Sequence, residues 1–223
     1  MTEVSALPLN LPPLTASLQI LLLMSALTLL PAALLMMTAF TRIAIVLAIL
    51  RQALGLGQSP PNQLLVGTAL LLTVFVMKPQ LDRIHDMAWT PMVAGTLPAE
   101  QALAQAGAEL KRFMLTQTRK KDISRFAEIA GGGPYAQAAD VPLIVVMPAF
   151  VASELKTALE IGLVIYLPFL VIDLVVASIL LAMGMMMVSP ATVSLPVKIA
   201  LFVMVDGWTL VLGALAKSFG DGS

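Results

Sequence analysis

The chain has no cysteine, one histidine and little charge. The missing cysteine excludes disulfides, thiolate metal sites and cysteine nucleophiles. His85 stands alone in a polar stretch and reads as an ordinary surface residue; no metal site is expected. Only 12% of the residues are Asp, Glu, Lys or Arg. That is about half the usual share for a soluble domain, too little to cover a water-facing surface. Net charge is zero, which argues against a nucleic-acid partner held by a general basic field. Catalytic signatures are missing too: there is no HExxH, GxSxG or GxxxxGK[ST]. Gly131-Gly132-Gly133 is followed by proline and not by a lysine opening a helix, so it is no phosphate cradle. No cofactor and no catalytic residue is expected.

What is present is apolar surface. Hydrophobic residues make up 59% of the chain and mean hydropathy is +0.94, so much of the surface must face lipid or other subunits. A tail, 1–17, precedes a first apolar region, 18–77. No Lys or Arg occurs before Arg42, so the basic start of a secretory signal is missing and the first apolar run reads as a retained helix. Leu18–Met37 is long enough to cross a bilayer, with a kink expected at Pro31. Ala39–Leu54 continues as helix, and Gly55 to Asn62 is a turn. Leu64–Met77 is short for a standard span.

Residues 78–140 hold 15 of the 26 Asp, Glu, Lys and Arg residues and read as a polar, helical, water-facing insertion. Pro98-Ala99-Glu100 opens one helix, with Leu103, Leu110, Phe113 and Met114 on one face. Asp122–Ala130 forms another, stopped by the glycines that follow and Pro134. The second apolar region, 141–223, is expected to hold a helix over Ala158–Val188 kinked by Pro168, a turn at Ser189–Pro196, and a last helix, Val197–Leu215. The fold class is all-α: membrane-associated helical hairpins with a polar helical insertion. Short loops carry one or two basic residues each, so charge assigns no orientation.

The apolar helices carry eight charges: Arg42, Arg51, Glu154, Lys156, Glu160, Asp173, Lys198 and Asp206. The signs balance. An unpaired charge costs several kcal/mol in hydrocarbon, so these residues pair or face a wet cavity. Arg51, Lys198 and Glu154 also fit a simpler reading as helix-end residues touching water; Arg42, Glu160, Asp173 and Asp206 do not. Asp173 and Asp206 are the one enzyme-like pair, reminiscent of an intramembrane aspartyl protease dyad, but neither stands in a Gly-x-Gly-Asp context. Met183, Met185, Met186 and Met187 crowd four thioethers into five positions before Pro190. The plain reading is a core or lipid-facing helix end. The alternative is a deformable apolar constriction, because methionine is unbranched and adapts to irregular partners.

Several segments resemble one family. They are Met37-Thr38-Ala39-Phe40-Thr41-Arg42, Leu50-Arg51-Gln52-Ala53-Leu54-Gly55, Pro60-Pro61-Asn62-Gln63, Ser153-Glu154-Leu155-Lys156-Thr157-Ala158, Pro168 to Val175, Met183 to Pro190 and Val205-Asp206-Gly207-Trp208. Together they resemble the FliP family of flagellar type III export-gate subunits, homologous to an injectisome family. The insertion segment from Leu110 to Arg119 favours the flagellar branch. The resemblance implies a homo-oligomer, a pentamer in the family, forming a ring-like pore with FliQ and FliR, near FlhA and FlhB. It implies a place in the bacterial inner membrane and flagellar basal body, raised toward the periplasm. Unfolded flagellar proteins would be the cargo. It further implies that Met185, Met186 and Met187, with Met183, seal the pore. It leaves Arg42, Glu154, Lys156, Glu160, Asp173 and Asp206 to buried pairing and assembly. A passive scaffold without a pore is the remaining alternative.

Overall fold

A computed structural model describes residues 16–220, apart from 134 and 136. The expected tail lies outside them as far as position 15, as does Pro134 of the glycine stop. The described residues are mostly helical and contain no strand, in agreement with the all-α expectation. In chain order the elements are α1 (Ala16–Met36), α2 (Phe40–Leu54), α3 (Asn62–Ile84), a π-helical stretch (His85–Trp89), α4 (Thr90–Val93), α5 (Ala99–Gln117), α6 (Lys120–Ile129), a 3-10 turn (Ala138–Asp140), α7 (Leu143–Ala182), α8 (Pro190–Met204) and α9 (Gly207–Lys217).

Helix α1 belongs to a unit of its own that ends at Leu35. It carries no charge and continues through Pro31 without a break. Its 21 residues reach about 32 Å, close to the thickness of a bilayer core.

The second unit, from Met36 onward, is built on α2 and α7. In α2 the buried residues Ile43, Val46, Leu47, Leu50 and Leu54 fall at helical spacing and form one stripe. They join Val145, Val146, Phe150 and Ala158 of α7 in one core. Arg42 lies beside Glu154 and Ile49 beside Gly162, so the two helices run side by side in the same direction. Parallel neighbours need a long crossover, and α3 to α6 supply it. Contact is closest at Gly162, where an added Cβ would sit 2.4 Å from Ile49 Cδ1 and 3.1 Å from its Cγ2. Gly162→Val should therefore wedge the helices apart and cost about 1–3 kcal/mol. A detergent melt of the purified chain checks it, and an unchanged midpoint would show that Ile49 moves aside freely.

Several boundaries differ from expectation. The short span ending at Met77 is part of a longer helix, because α3 crosses the polarity boundary at 78 and runs to Ile84 through Pro79. The π-helical stretch and α4 extend this rod to Val93. The polarity change is a change of surroundings along one helix, not a break in it. The described residues thus hold three helices long and apolar enough to cross a membrane, or up to four if α8 and α9 together count as one.

In the insertion, Phe113 and Met114 are buried and Leu110 packs on the core. Leu103, expected on the same buried face, is 76% exposed, because that face runs past the part of α5 that α7 covers. Helix α6 ends as expected: Gly131 has φ 69°, and the N–H groups of Gly131 and Gly132 donate to the carbonyls of Glu128 and Ala127, the paired stop of a Schellman turn. The insertion is fastened to α3 by Glu109, which accepts from Arg83 at 2.5 Å and from Arg112 at 2.7 Å. Partial burial pushes the Glu109 carboxyl up, but the hydrogen bonds and charges of Arg83 and Arg112 outweigh it and hold it below its ordinary value. A depressed carboxylate stabilises the fold above its unfolded pKa, and the gain is lost as pH falls through the folded value. Glu109→Gln should therefore reduce the acid sensitivity of amide exchange in α5 below about pH 4. Equal acid sensitivity in both proteins would contradict it.

Helix α7 is one rod of 40 residues that passes through both Pro148 and Pro168. It stops at Ala182, not Val188. Gly184 takes φ 76°, and the N–H groups of Gly184 and Met185 donate to the carbonyls of Leu181 and Leu180. This is a second Schellman turn, and it throws the methionines into a loop. The turn expected at Ser189–Pro196 is helical instead: Pro190 opens α8, where its missing N–H costs nothing, and Pro196 lies inside it. The last helix expected at Val197–Leu215 is broken. Asp206 adopts a left-handed backbone, φ 51° and ψ 50°, and α9 leaves α8 at 65°.

Candidate functional site

Two buried polar nodes hold the apolar helices in place. At the first, Arg42 of α2 grips Glu154 of α7 with two bonds, Nε to Oε2 at 2.8 Å and Nη2 to Oε1 at 2.5 Å. Their side chains are 3% and 0% exposed. The remaining donors are also used: Nη1 donates to the carbonyl and hydroxyl of Ser218 at 2.9 and 3.0 Å, and Nη2 to Gln117 Oε1 at 3.1 Å. The guanidinium lies 3.8 Å above the Phe219 ring, a cation–π contact. Phe219 in turn stacks on Phe113. One side chain thus ties together α2, α5, α7 and the segment after α9. Arginine suits the position because its planar fork fits a carboxylate and its face fits a ring.

At the second node, Lys198 of α8 donates to Asp173 Oδ2 of α7 at 2.6 Å and to the Ala53 carbonyl at 3.0 Å. Ser194 donates to Asp173 Oδ1 at 2.5 Å. The Ala53 carbonyl is one of the last four of α2, groups without an intrahelical partner, and a cation is favoured at that end of the dipole. This node pins α8 to α7 and to the end of α2.

The predicted site residues separate on these facts. Arg42 and Glu154 are buried and paired with each other, and Asp173 is paired with Lys198. The helix-end reading fails for Glu154 and Lys198, which are buried. Lys156 and Glu160, taken as buried charges, are 62% and 57% exposed. They lie on a face of α7 that α2 does not cover. Glu160 accepts from Arg119 at 2.8 Å, a residue of the insertion. Asp206, also taken as buried, is exposed at the break between α8 and α9 and makes no ion pair among the described residues. The carboxylates of Asp173 and Asp206 are not brought together as a dyad, since both Asp173 oxygens bind Lys198 and Ser194.

The methionines stand apart from either node. Met183, Met185, Met186 and Met187 are 66%, 41%, 81% and 99% exposed, held at the tip of the α7–α8 hairpin. The polar partners Gln117, Arg119, Ser194 and Ser218 were missed by sequence reasoning.

Residues 23–215 match the FliP family. The chain is 55% identical over 91% of its length to "Flagellar biosynthetic protein FliP" of Cereibacter sphaeroides, spanning 67% of that protein. It is 54% identical over 92% of its length to the protein of that name from Pectobacterium carotovorum subsp. carotovorum, spanning 80% of it. A Buchnera aphidicola (subsp. Acyrthosiphon pisum, strain APS) protein of the same name is 50% identical over 90% of the chain, which spans 53% of that relative. This chain therefore belongs to the FliP family.

Proposed function

We propose that this chain is a pore-forming subunit of the flagellar protein-export gate in the bacterial inner membrane, passing unfolded flagellar proteins. Family membership supports a component of the flagellar export apparatus. The observation that carries the pore reading is the exposed methionine loop. An ordinary core helix end would bury these side chains within the chain. Here a glycine turn ejects them from α7, and Met187 is 99% exposed. Thioethers this bare take their apolar cover from lipid or from other chains, and a loop tip shared by several copies supplies the second. Several loops meeting on an axis would form a dry plug that bends aside for any side chain and closes again.

The exposed apolar outer surface of α3 and α7, with Leu71, Phe75, Ile144 and Val164 among its residues, fits lipid or neighbouring subunits. Helix α7, at 40 residues, is about 60 Å long, twice a bilayer core. A complex raised out of the membrane toward the periplasm accommodates that length. The ring would include FliQ and FliR, with FlhA and FlhB adjacent. The polar span 78–140 would form a water-exposed layer between the two apolar regions, 18–77 and 141–223. The names of the relatives favour a flagellar over an injectisome role, and the occupied oxygens of Asp173 speak against a protease. Native mass spectrometry and particle images of the complex purified from membranes test the reading. A ring of several copies with the 183–187 loops on its axis is expected; a monomer, or loops on the outer surface, would overturn it.

A further inference from the structure

The eight charges of the apolar helices do not all find partners among the described residues. Arg42 takes Glu154, Lys198 takes Asp173, and Lys156 lies 4.0 Å from Glu160, which Arg119 also binds. Two residues are left over, one of each sign: Arg51 and Asp206. Arg51 uses only Nη1, which donates to Asn62 Oδ1 at 2.6 Å and to the Pro60 carbonyl at 3.2 Å. Its Nε and Nη2 make no hydrogen bond among the described residues. Asp206 has no cation partner among the described residues. It sits on a corner whose neighbours Val203, Met204 and Val205 are all exposed. A bare carboxylate in such surroundings needs a cation from elsewhere.

Arg51 also borders a cleft of about 610 Å³ between α2 and α7, with apolar walls from Ile45, Ala48, Ile49 and Leu159 and Gln52 beside it. We infer that Asp206 of a second copy of this chain enters this cleft and pairs with Arg51, with Met204 and Val205 of that copy against its apolar walls. The contact uses two different surfaces, one on each copy, so it repeats head to tail, and it gives a ring when the rotation between copies closes. The inference rests on the homo-oligomeric reading above and adds to it the residues of the contact.

The absence of cysteine makes the test direct. Two differently tagged full-length chains, one with Arg51→Cys and one with Asp206→Cys, are co-expressed in flagellated cells. Membranes are then treated with a short bismaleimide. A product carrying both tags is expected, and neither single variant alone should give one. If a homo-oligomer is seen on native gels but no two-tag product forms, this contact is wrong and the pore reading stands. If no homo-oligomer exists, both fall. A second comparison guards against cysteine damaging the turn. Asp206→Asn keeps a residue that tolerates the left-handed backbone, so it removes charge alone. It should lower recovered oligomer several-fold, Arg51→Gln should do the same, and the double variant should lose no more than either. Losses that multiply in the double variant would overturn the pairing.

Discussion

Glu154→Leu should deplete the protein from membranes, because it leaves the Arg42 guanidinium buried without its carboxylate. Breaking a buried pair by removing one partner costs about 3–5 kcal/mol, a large part of the stability of most domains. Arg42 is 3% exposed and Glu154 not at all, so water cannot replace the lost partner without opening the core. The damage would not stay local. Arg42 also holds Ser218, Gln117 and the Phe219 ring, so displacing it frees the segment after α9 and the end of α5. Glu154→Gln should lose less, since its amide oxygen still accepts one bond. Arg42→Leu with Glu154→Leu should recover more protein than either single change, because no charge is then stranded. Recovery would be incomplete, since Ser218 and Gln117 lose a donor. Steady-state protein level and a melt in detergent measure all four variants. Wild-type stability in Glu154→Leu would show that Arg42 reaches water.

The contrast between these charges shows how much could be read from the chain alone. Hydropathy and helical spacing locate the apolar helices and the buried stripe of α2, since these depend on neighbours three and four residues away. The glycine stop after α6 is legible for the same reason. The pairing of Arg42 with Glu154 is not, because 112 positions separate them and only the crossover through α3 to α6 joins them. The need for a partner is evident from burial in hydrocarbon; which partner is a property of the fold. Lys156 and Glu160 show the opposite error. They stand in the same apolar rod as Glu154, yet their side chains are 62% and 57% exposed, and Glu160 meets only Arg119 at the start of α6 and Lys156 among the described residues.

Pro196 misled: it reads as part of a turn and lies inside α8. Pro31, Pro79, Pro148, Pro168 and Pro196 all lie inside helices. Apolar packing outweighs one missing hydrogen bond, and helices in apolar surroundings tolerate proline better than helices in water. The real breaks come where the backbone turns left-handed, at Gly184 and Asp206. Glycine announces the first. The second is hidden, because an aspartate within an apolar run reads as a buried charge before it reads as a turn.

The methionine loop carries the central claim. Met185, Met186 and Met187 follow the turn at Gly184, clear of the chain's own core, and the proposed plug is made of these thioethers from several copies. Truncating all three to alanine removes most of their apolar volume while leaving both charge nodes, and so the helices, untouched. A narrow apolar plug excludes ions because it stays dry; widened by several missing side chains, it would admit water and ions. Cells expressing Met185→Ala, Met186→Ala and Met187→Ala together should become salt-sensitive. The most direct measurement is the conductance of the purified wild-type and triple-variant complexes in planar bilayers. The account predicts a closed wild-type complex and a triple variant that assembles normally and conducts small ions. A triple variant that assembles normally and stays as tight as wild type would contradict it, and would return the methionines to an ordinary packing role.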